Sequence, residues 1–236
     1  MNIALLTAAG TGNRMRQDIP KQFLTINEKP VIIYTLEAFQ RHPQIDAIAV
    51  VCLDGWIPML KAYARQFNIE KLRYVIVGGA NGQESIWNGL VELEKHFAPT
   101  DLVLIHDGNR PMVSHEIISD CICVANQYGN AIPAIPVTEA ILKTDNGIDS
   151  LKSIPRDHLK RTQTPHTFKL GDICEMHRQA LKAGITNTVA SCTLAVELGR
   201  KVFFSLGAEK NFKLTTIEDI EMFKALLVQN RTEWLK

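Results

Sequence analysis

The chain has no pair of cysteines at metal-binding or redox spacing. Its five cysteines, at 52, 121, 123, 174 and 192, form no Cys-x-x-Cys, and an odd number cannot all pair with one another. They read as reduced, mostly buried thiols, which points to a cytoplasmic protein. His158, His166 and His177 show no ligand spacing with cysteine or with another histidine, so a structural zinc is not expected. An excess of one charge is also missing. The 26 Lys and Arg nearly cancel the 25 Asp and Glu, so no global field draws the chain to nucleic acid or an anionic membrane, and any phosphate binding has to be local. No apolar run reaches the roughly 18 residues of a membrane span, and residues 1–9 carry no charged leader region, so neither secretion nor membrane insertion is expected. Internal repeats, low-complexity tracts and Gly/Ser-rich linkers are absent.

The 236 residues, 46% of them hydrophobic, suffice for one large domain with a sizeable core. Apolar strand-like runs at 3–7, 46–53, 73–77, 101–105, 131–137 and 201–206 alternate with helical periodicity at 31–42, 56–68, 83–97, 114–128, 170–183 and 216–229. That alternation predicts an α/β fold: a Rossmann-like, mainly parallel sheet sandwiched by helices. Ligands of such sheets bind beyond the carboxyl ends of the strands, here residues 8–21, Gly78-Gly79 and His106-Asp107. One segment breaks the alternation. Residues 137–154 place Asn146-Gly147 between two extended stretches, a hairpin signal. An isolated ribbon is marginal in water, so it has to pack on something, a second subunit or the sheet edge.

The first strand runs into Ala8-Ala9-Gly10-Thr11-Gly12-Asn13-Arg14-Met15, with Pro20-Lys21-Gln22 close behind. A Gly-rich turn exposes backbone N–H groups, and two nearby cations make it a cradle for a polyphosphate. The turn is not a P-loop, which needs Gly-Lys-Ser/Thr. The dinucleotide fingerprint fails too: Met15 stands where a small residue is needed, and neither Glu28 nor Glu37 ends a second strand. Further on, His106-Asp107-Gly108-Asn109-Arg110-Pro111 puts a carboxylate and a forked donor at the ligand edge; the same residues could instead cap the turn into a helix started by Ser114. Ser85 is either a helix cap or a contact to a nucleobase. Arg156, Arg161, Thr164 and Lys213 are further candidates for phosphate.

In order, these motifs, with Gln163-Thr164-Pro165 and Asn211-Phe212-Lys213-Leu214-Thr215, resemble the CTP-dependent cytidylyltransferases that activate methylerythritol 4-phosphate in isoprenoid synthesis, and their relatives that activate ribitol 5-phosphate. The resemblance covers essentially the whole chain. It implies a single nucleotidyltransferase domain over 1–236, with 137–154 as an arm exchanged across a homodimer, and a reaction of CTP with a small polyol phosphate that gives a CDP-polyol and pyrophosphate. By the same resemblance, Ala8, Ala9, Gly10, Thr11 and Gly12 wrap the CTP triphosphate while Arg14 and Lys21 neutralise charge on the α-phosphate and pyrophosphate. Gly79 and Ser85 read the cytosine. Asp107 sits near the ribose and a Mg²⁺ held mainly by the phosphates, and Lys213 near the α-phosphate. Arg156 and Thr164 bind the polyol phosphate, Arg110 lies close to the neighbour's arm, and Thr188 helps hold the polyol.

Three positions depart from that pattern: Gly82 where the family commonly has Arg, Glu139-Ala140 where it has Asp-Thr, and Thr188-Val189 where it has Thr-Asp. The nucleotide half matches better than the acceptor half, and the stretch from Gln163 to Phe168 looks more like the ribitol branch. Two other classes stay open on the residues: a catalytically silent CTP-binding sensor or scaffold, and, more distantly, a nicotinamide oxidoreductase.

Overall fold

The structure is a computed structural model that describes residues 1–10 and 19–232. Strand β1 (Asn2–Ala8) leads, through a two-residue pair β2 (Thr25–Ile26) and β3 (Lys29–Pro30), to helix α1 (Val31–Arg41). There follow β4 (Ala47–Cys52), α2 (Ile57–Gln66), β5 (Leu72–Val77), α3 (Gly82–Leu93), β6 (Leu102–Asp107), α4 (His115–Tyr128) and β7 (Asn130–Pro136). Two short strands, β8 (Ile141–Lys143) and β9 (Lys152–Ile154), precede β10 (Lys160–Thr162), β11 (His166–Lys169), α5 (Leu170–Lys182), α6 (Ser191–Glu197), β12 (Phe204–Leu206) and α7 (Ile217–Thr232).

The main sheet runs β10-β7-β11-β6-β1-β4-β5, with β12 beside β7. β1 pairs in parallel with β4 and β6, and β4 with β5, whereas β11 is antiparallel to both β6 and β7. The apolar runs behave as strands buried on both faces: Ile3 to Leu6 and Ile48 to Cys52 are wholly buried. Alternation sends Ile3 and Leu5 to an apolar layer with Leu90, Ile173 and Leu194 of α3, α5 and α6. Ala4 and Leu6 face a second layer with Leu36, Leu60 and Ile118 of α1, α2 and α4. α3 lies so near the sheet that a Cβ on Gly89 would stand 2.7 Å from Leu5 and 2.8 Å from Val51. Since β4 and β5 lie on one side of β1 and β6 on the other, the chain reverses its winding at β1, and a crevice opens beyond the carboxyl ends of β1 and β6. Among the described residues no helix is long and apolar enough to cross a membrane.

Two local details go beyond the sequence. The hairpin expected around Asn146-Gly147 is present, with β8 and β9 paired antiparallel, but an eight-residue loop and not a tight turn joins Lys143 to Lys152. Asn146 Oδ1 accepts from the amides of Ile148 and Asp149, at 2.9 and 3.1 Å, and Gly147 takes φ 75°, so the Asn-Gly pair organises a wider loop around a side-chain turn. Helix α3 is capped by Asn81, whose Oδ1 accepts from Glu84 N at 2.9 Å, and not by Ser85, which lies one turn inside.

Candidate active site

A cleft of about 410 Å³ lies at the crevice. Thr7 to Gly10 form its floor, with Lys21 and Gln22 beside them; Gly79 to Ile86 make one wall, Asp107, Asn109 and Lys213 another, and Thr188 to Leu194 the far end. The β1, β5 and β6 strand ends and the starts of α3 and α6 supply most of this lining, as the strand-end rule predicts, while Lys213 comes from the connection between β12 and α7.

The loop after β1 is held from behind. Gln22, almost wholly buried, donates from Nε2 to the carbonyls of Ala8 and Gly10 at 2.7 and 3.1 Å. Both acceptors are carbonyls, so the amide nitrogen must be the atom that faces them. In a trans peptide the N–H points opposite the C=O, so fixing the Ala8 carbonyl toward Gln22 turns the Ala9 amide the other way. A Cβ on Gly78 would collide with Ala9, so that position admits only glycine beside the loop. Thr11, Gly12 and Arg14 lie outside the described residues.

Asp107 organises the opposite wall. Its Oδ1 accepts from Lys213 Nζ at 2.8 Å and its Oδ2 from Arg110 Nε at 2.8 Å. Burial opposes ionisation of this carboxyl, but the charges of Lys213 and Arg110 and their hydrogen bonds outweigh it and hold Asp107 well below the usual carboxylate range. The residues that bring Lys213 here are amides. Asn109 and Leu214 exchange two bonds, Asn109 Nδ2 to the Leu214 carbonyl at 2.5 Å and Leu214 N to the Asn109 carbonyl at 2.9 Å. Asn211, fully buried, donates to the Thr164 carbonyl at 2.9 Å and accepts at its own carbonyl from Arg110 Nη1 at 2.8 Å.

Beneath Asp107 a buried chain of hydrogen bonds fixes the turn. His106 Nε2 faces the Arg110 carbonyl at 3.1 Å and therefore carries the ring proton, which leaves Nδ1 to accept from the Thr164 hydroxyl at 2.9 Å. The Thr164 oxygen in turn accepts from Asp107 N at 3.2 Å. This assignment requires a neutral ring, and burial lowers His106 to about 4.

The sequence-predicted residues divide accordingly. Ala8, Ala9, Gly10, Lys21, Gly79, Ser85, Asp107, Thr188 and Lys213 line the cleft. Thr164 and Arg110 stand behind it as partners of His106 and Asp107. Ser85 Oγ accepts from Gly79 N at 3.0 Å. Thr188 is tied by its amide and hydroxyl to Gln83 Oε1 at 2.8 and 3.1 Å, and Val189 beside it is 96% exposed at the cleft. Gly82 leaves open space where a longer side chain could reach. Arg156 lies outside the cleft at the base of the β8–β9 ribbon, bonded to the Thr138 carbonyl, and Ala140 is exposed on the same ribbon. Sequence reasoning missed Gln22, Asn109, Asn211 and Gln83 as supports, for nothing in their spacing tells a buried amide from a surface one. Among the described residues no group of three or more His, Cys, Asp or Glu could cage a metal. Among the described residues Asp107 is the one carboxylate on the cleft, so a divalent cation here would have to arrive largely on a ligand's own phosphate oxygens.

Residues 2–229 match the family model described as IspD: 2-C-methyl-D-erythritol 4-phosphate cytidylyltransferase. The chain is 41% identical to the ribitol-5-phosphate cytidylyltransferase of Lacticaseibacillus paracasei, over 96% of this chain and 98% of that protein. It is 36% identical to the 2-C-methyl-D-erythritol 4-phosphate cytidylyltransferase of Clostridium acetobutylicum, over 98% and 99%. The crystal structure of 4-diphosphocytidyl-2C-methyl-D-erythritol synthase from Anaerococcus prevotii superposes with a TM-score of 0.80 at 27% identity, covering 96% of this chain and 97% of that one.

Proposed function

The chain belongs to the IspD cytidylyltransferase family, and from that membership we propose that it makes CDP-ribitol from CTP and ribitol 5-phosphate. The nucleotidyl transfer from CTP to a polyol phosphate comes with the family. The choice of acceptor rests on one observation, 41% identity to the ribitol enzyme of Lacticaseibacillus paracasei against 36% to the methylerythritol enzyme of Clostridium acetobutylicum. The relatives reported above are enzymes, which argues against the silent CTP-binding reading.

The reaction forms a bond between a phosphate-monoester oxygen of the acceptor and the α-phosphorus of CTP, and breaks the bond from that phosphorus to the β-phosphate, releasing pyrophosphate. The acceptor phosphate is already anionic near neutral pH, so the protein supplies no nucleophile and removes no proton. Its work is alignment and stabilisation of charge. In this reading the β1 loop and Lys21 hold the triphosphate, Lys213 lies against the phosphate that reacts, and Gly79 with Ser85 meets the cytosine. Mg²⁺, carried by the phosphates, would add Lewis-acid charge neutralisation with Asp107 as its protein ligand. Arg156 stands outside its own chain's cleft, and Leu142, Ile148 and Leu151 on the ribbon are 62%, 89% and 101% exposed. Both features support one domain whose 137–154 arm reaches a second copy, with Arg156 serving the neighbour's acceptor site. Five free cysteines support a reducing, cytoplasmic setting.

Pyrophosphate release with CTP and Mg²⁺, run in parallel on ribitol 5-phosphate and methylerythritol 4-phosphate, tests the reading. Turnover of ribitol 5-phosphate at least tenfold more efficient than the alternative is expected; preference for methylerythritol 4-phosphate would overturn the acceptor.

A further inference from the structure

Buried polar atoms in folded proteins are nearly always hydrogen-bonded, so each one that is not calls for a reason. Four such side-chain atoms occur among the described residues, and two of them, His177 Nε2 and Ser191 Oγ, belong to residues that line the cleft. Both residues are almost wholly buried, at 2% and 3% exposure. Neither position is an accident of loose packing. The His177 ring lies flat against Trp87, 5.6 Å between centroids at 11°, which fixes its plane from the side of α3. Ser191 opens α6, whose Leu194 and Ala195 are buried in the core. Between them Gln83 ties the intervening segment down, donating to the Ile185 carbonyl at 2.7 Å and accepting from Thr188.

The chemistry of the two ends of the cleft differs. Among the described residues the charged side chains on the cleft, apart from the histidine ring, are Lys21, Asp107 and Lys213. Among the described residues, those that 188–194 and α5 bring to the cleft are uncharged and include the Ser191 hydroxyl, which can donate or accept a hydrogen bond, and the imidazole of His177, kept neutral because burial lowers it to about 4. Uncharged donors and acceptors out of reach of bulk water match the neutral part of a nucleotide and not its phosphates.

We propose that His177 and Ser191 form a nucleoside subsite, in which the unpartnered Nε2 and Oγ take hydrogen bonds from the uncharged face of CTP, either a sugar hydroxyl or the amide edge of the base. The proposal rests on the reading of this cleft as a CTP site and extends it by two specificity-determining residues. Both atoms are closed off from solvent in the ligand-free chain, so the proposal requires a turn of the Ser191 hydroxyl and a local adjustment around the His177 ring when the nucleoside enters.

The test uses the full chain and the variants Ser191→Ala and His177→Leu, with CTP, UTP, 2′-deoxy-CTP and 3′-deoxy-CTP, read by kcat/KM for pyrophosphate release and by calorimetric binding. Each variant should lose roughly five- to tenfold in efficiency and affinity for CTP, the worth of one neutral hydrogen bond, and little for the analogue that lacks the partner group. A collapse of the CTP to deoxy-CTP ratio assigns the contact to a sugar hydroxyl; a collapse of the CTP to UTP ratio assigns it to the base. Ser191→Ala should not lower the melting temperature of the ligand-free chain, because no bond is lost there. Unchanged ratios with every nucleotide in both variants, or a less stable free chain with unaltered selectivity, overturns the proposal. If the wild-type chain turns over none of the nucleotides, the cytidylyltransferase reading falls, while calorimetry still decides the subsite.

Discussion

Asp107 has two cations and Lys213 is the one that lines the cleft, so Lys213→Ala separates catalysis from folding. We expect turnover to fall by about a hundredfold or more, as when a positioned charge stabiliser is removed, with pyrophosphate release as the measure and a melting curve as the control. Arg110 still neutralises Asp107 in that variant at 2.8 Å, so the stability loss should be modest. Gln22→Ala acts differently. It strips the Ala8 and Gly10 carbonyls of their shared donor, which costs roughly 1–3 kcal/mol of stability and frees the loop to turn its amides. KM for CTP should rise about tenfold while KM for the polyol phosphate stays put, a split that general destabilisation does not produce; equal shifts in both would show that the loop does not meet the triphosphate.

Among the elements, the Asp107–Arg110 turn depends on a neutral His106, and His166 and His177 are buried in the same state; burial lowers each of the three from 6.5 to about 4. In the unfolded chain all three take protons near pH 6.5, and in the folded chain only near pH 4. Stability is therefore complete above about 6.5 and drains as the pH falls toward 4, by about 1.4 kcal/mol per pH unit for each histidine. A melting-temperature series across that interval checks it, and His177→Leu should make the slope shallower. The strands and helices of the parallel half were legible because fully buried runs and 3.6-residue periodicity are strong signals. β11 and α6 were not. His166–Lys169 is four residues long and starts with a buried histidine, and Ser191–Glu197 is under two turns and shows no cap from a side chain of its own N-cap, Ala190. The Asn-Gly pair marked the hairpin but not the width of its turn, because its asparagine bonds two amides further along the loop instead of closing a tight turn. At the site, charged residues at strand ends could be found from the sequence, whereas the amides that hold them could not, since their role exists only through contacts made 12 to 105 residues away.

For the molecule as a whole, the arm leaves apolar side chains in solvent and Arg156 outside its own cleft. Light scattering should give the mass of a dimer, and Leu142→Asp with Leu151→Asp should shift it to a monomer. If Arg156 acts in the neighbouring site, two inactive variants, Arg156→Ala and Lys213→Ala, should partly rescue one another on mixing and refolding. Random pairing of symmetric dimers restores about a quarter of the sites. No rescue despite proven exchange would confine Arg156 to its own chain.

The latch between Asn109 and Leu214 sets an order of events during synthesis. β1, β4, β5 and β6 all lie within the first 107 residues, so the parallel half is synthesised well before the segment that carries Lys213. Lys213 reaches Asp107 only when Leu214 docks on Asn109. Until then Asp107 has Arg110 alone, and a nascent chain has its sheet without the cation that completes the site. A chain truncated before Lys213 is therefore expected to keep the Asp107–Arg110 pair but to lack both the latch and the second cation, and calorimetry should find its affinity for CTP reduced.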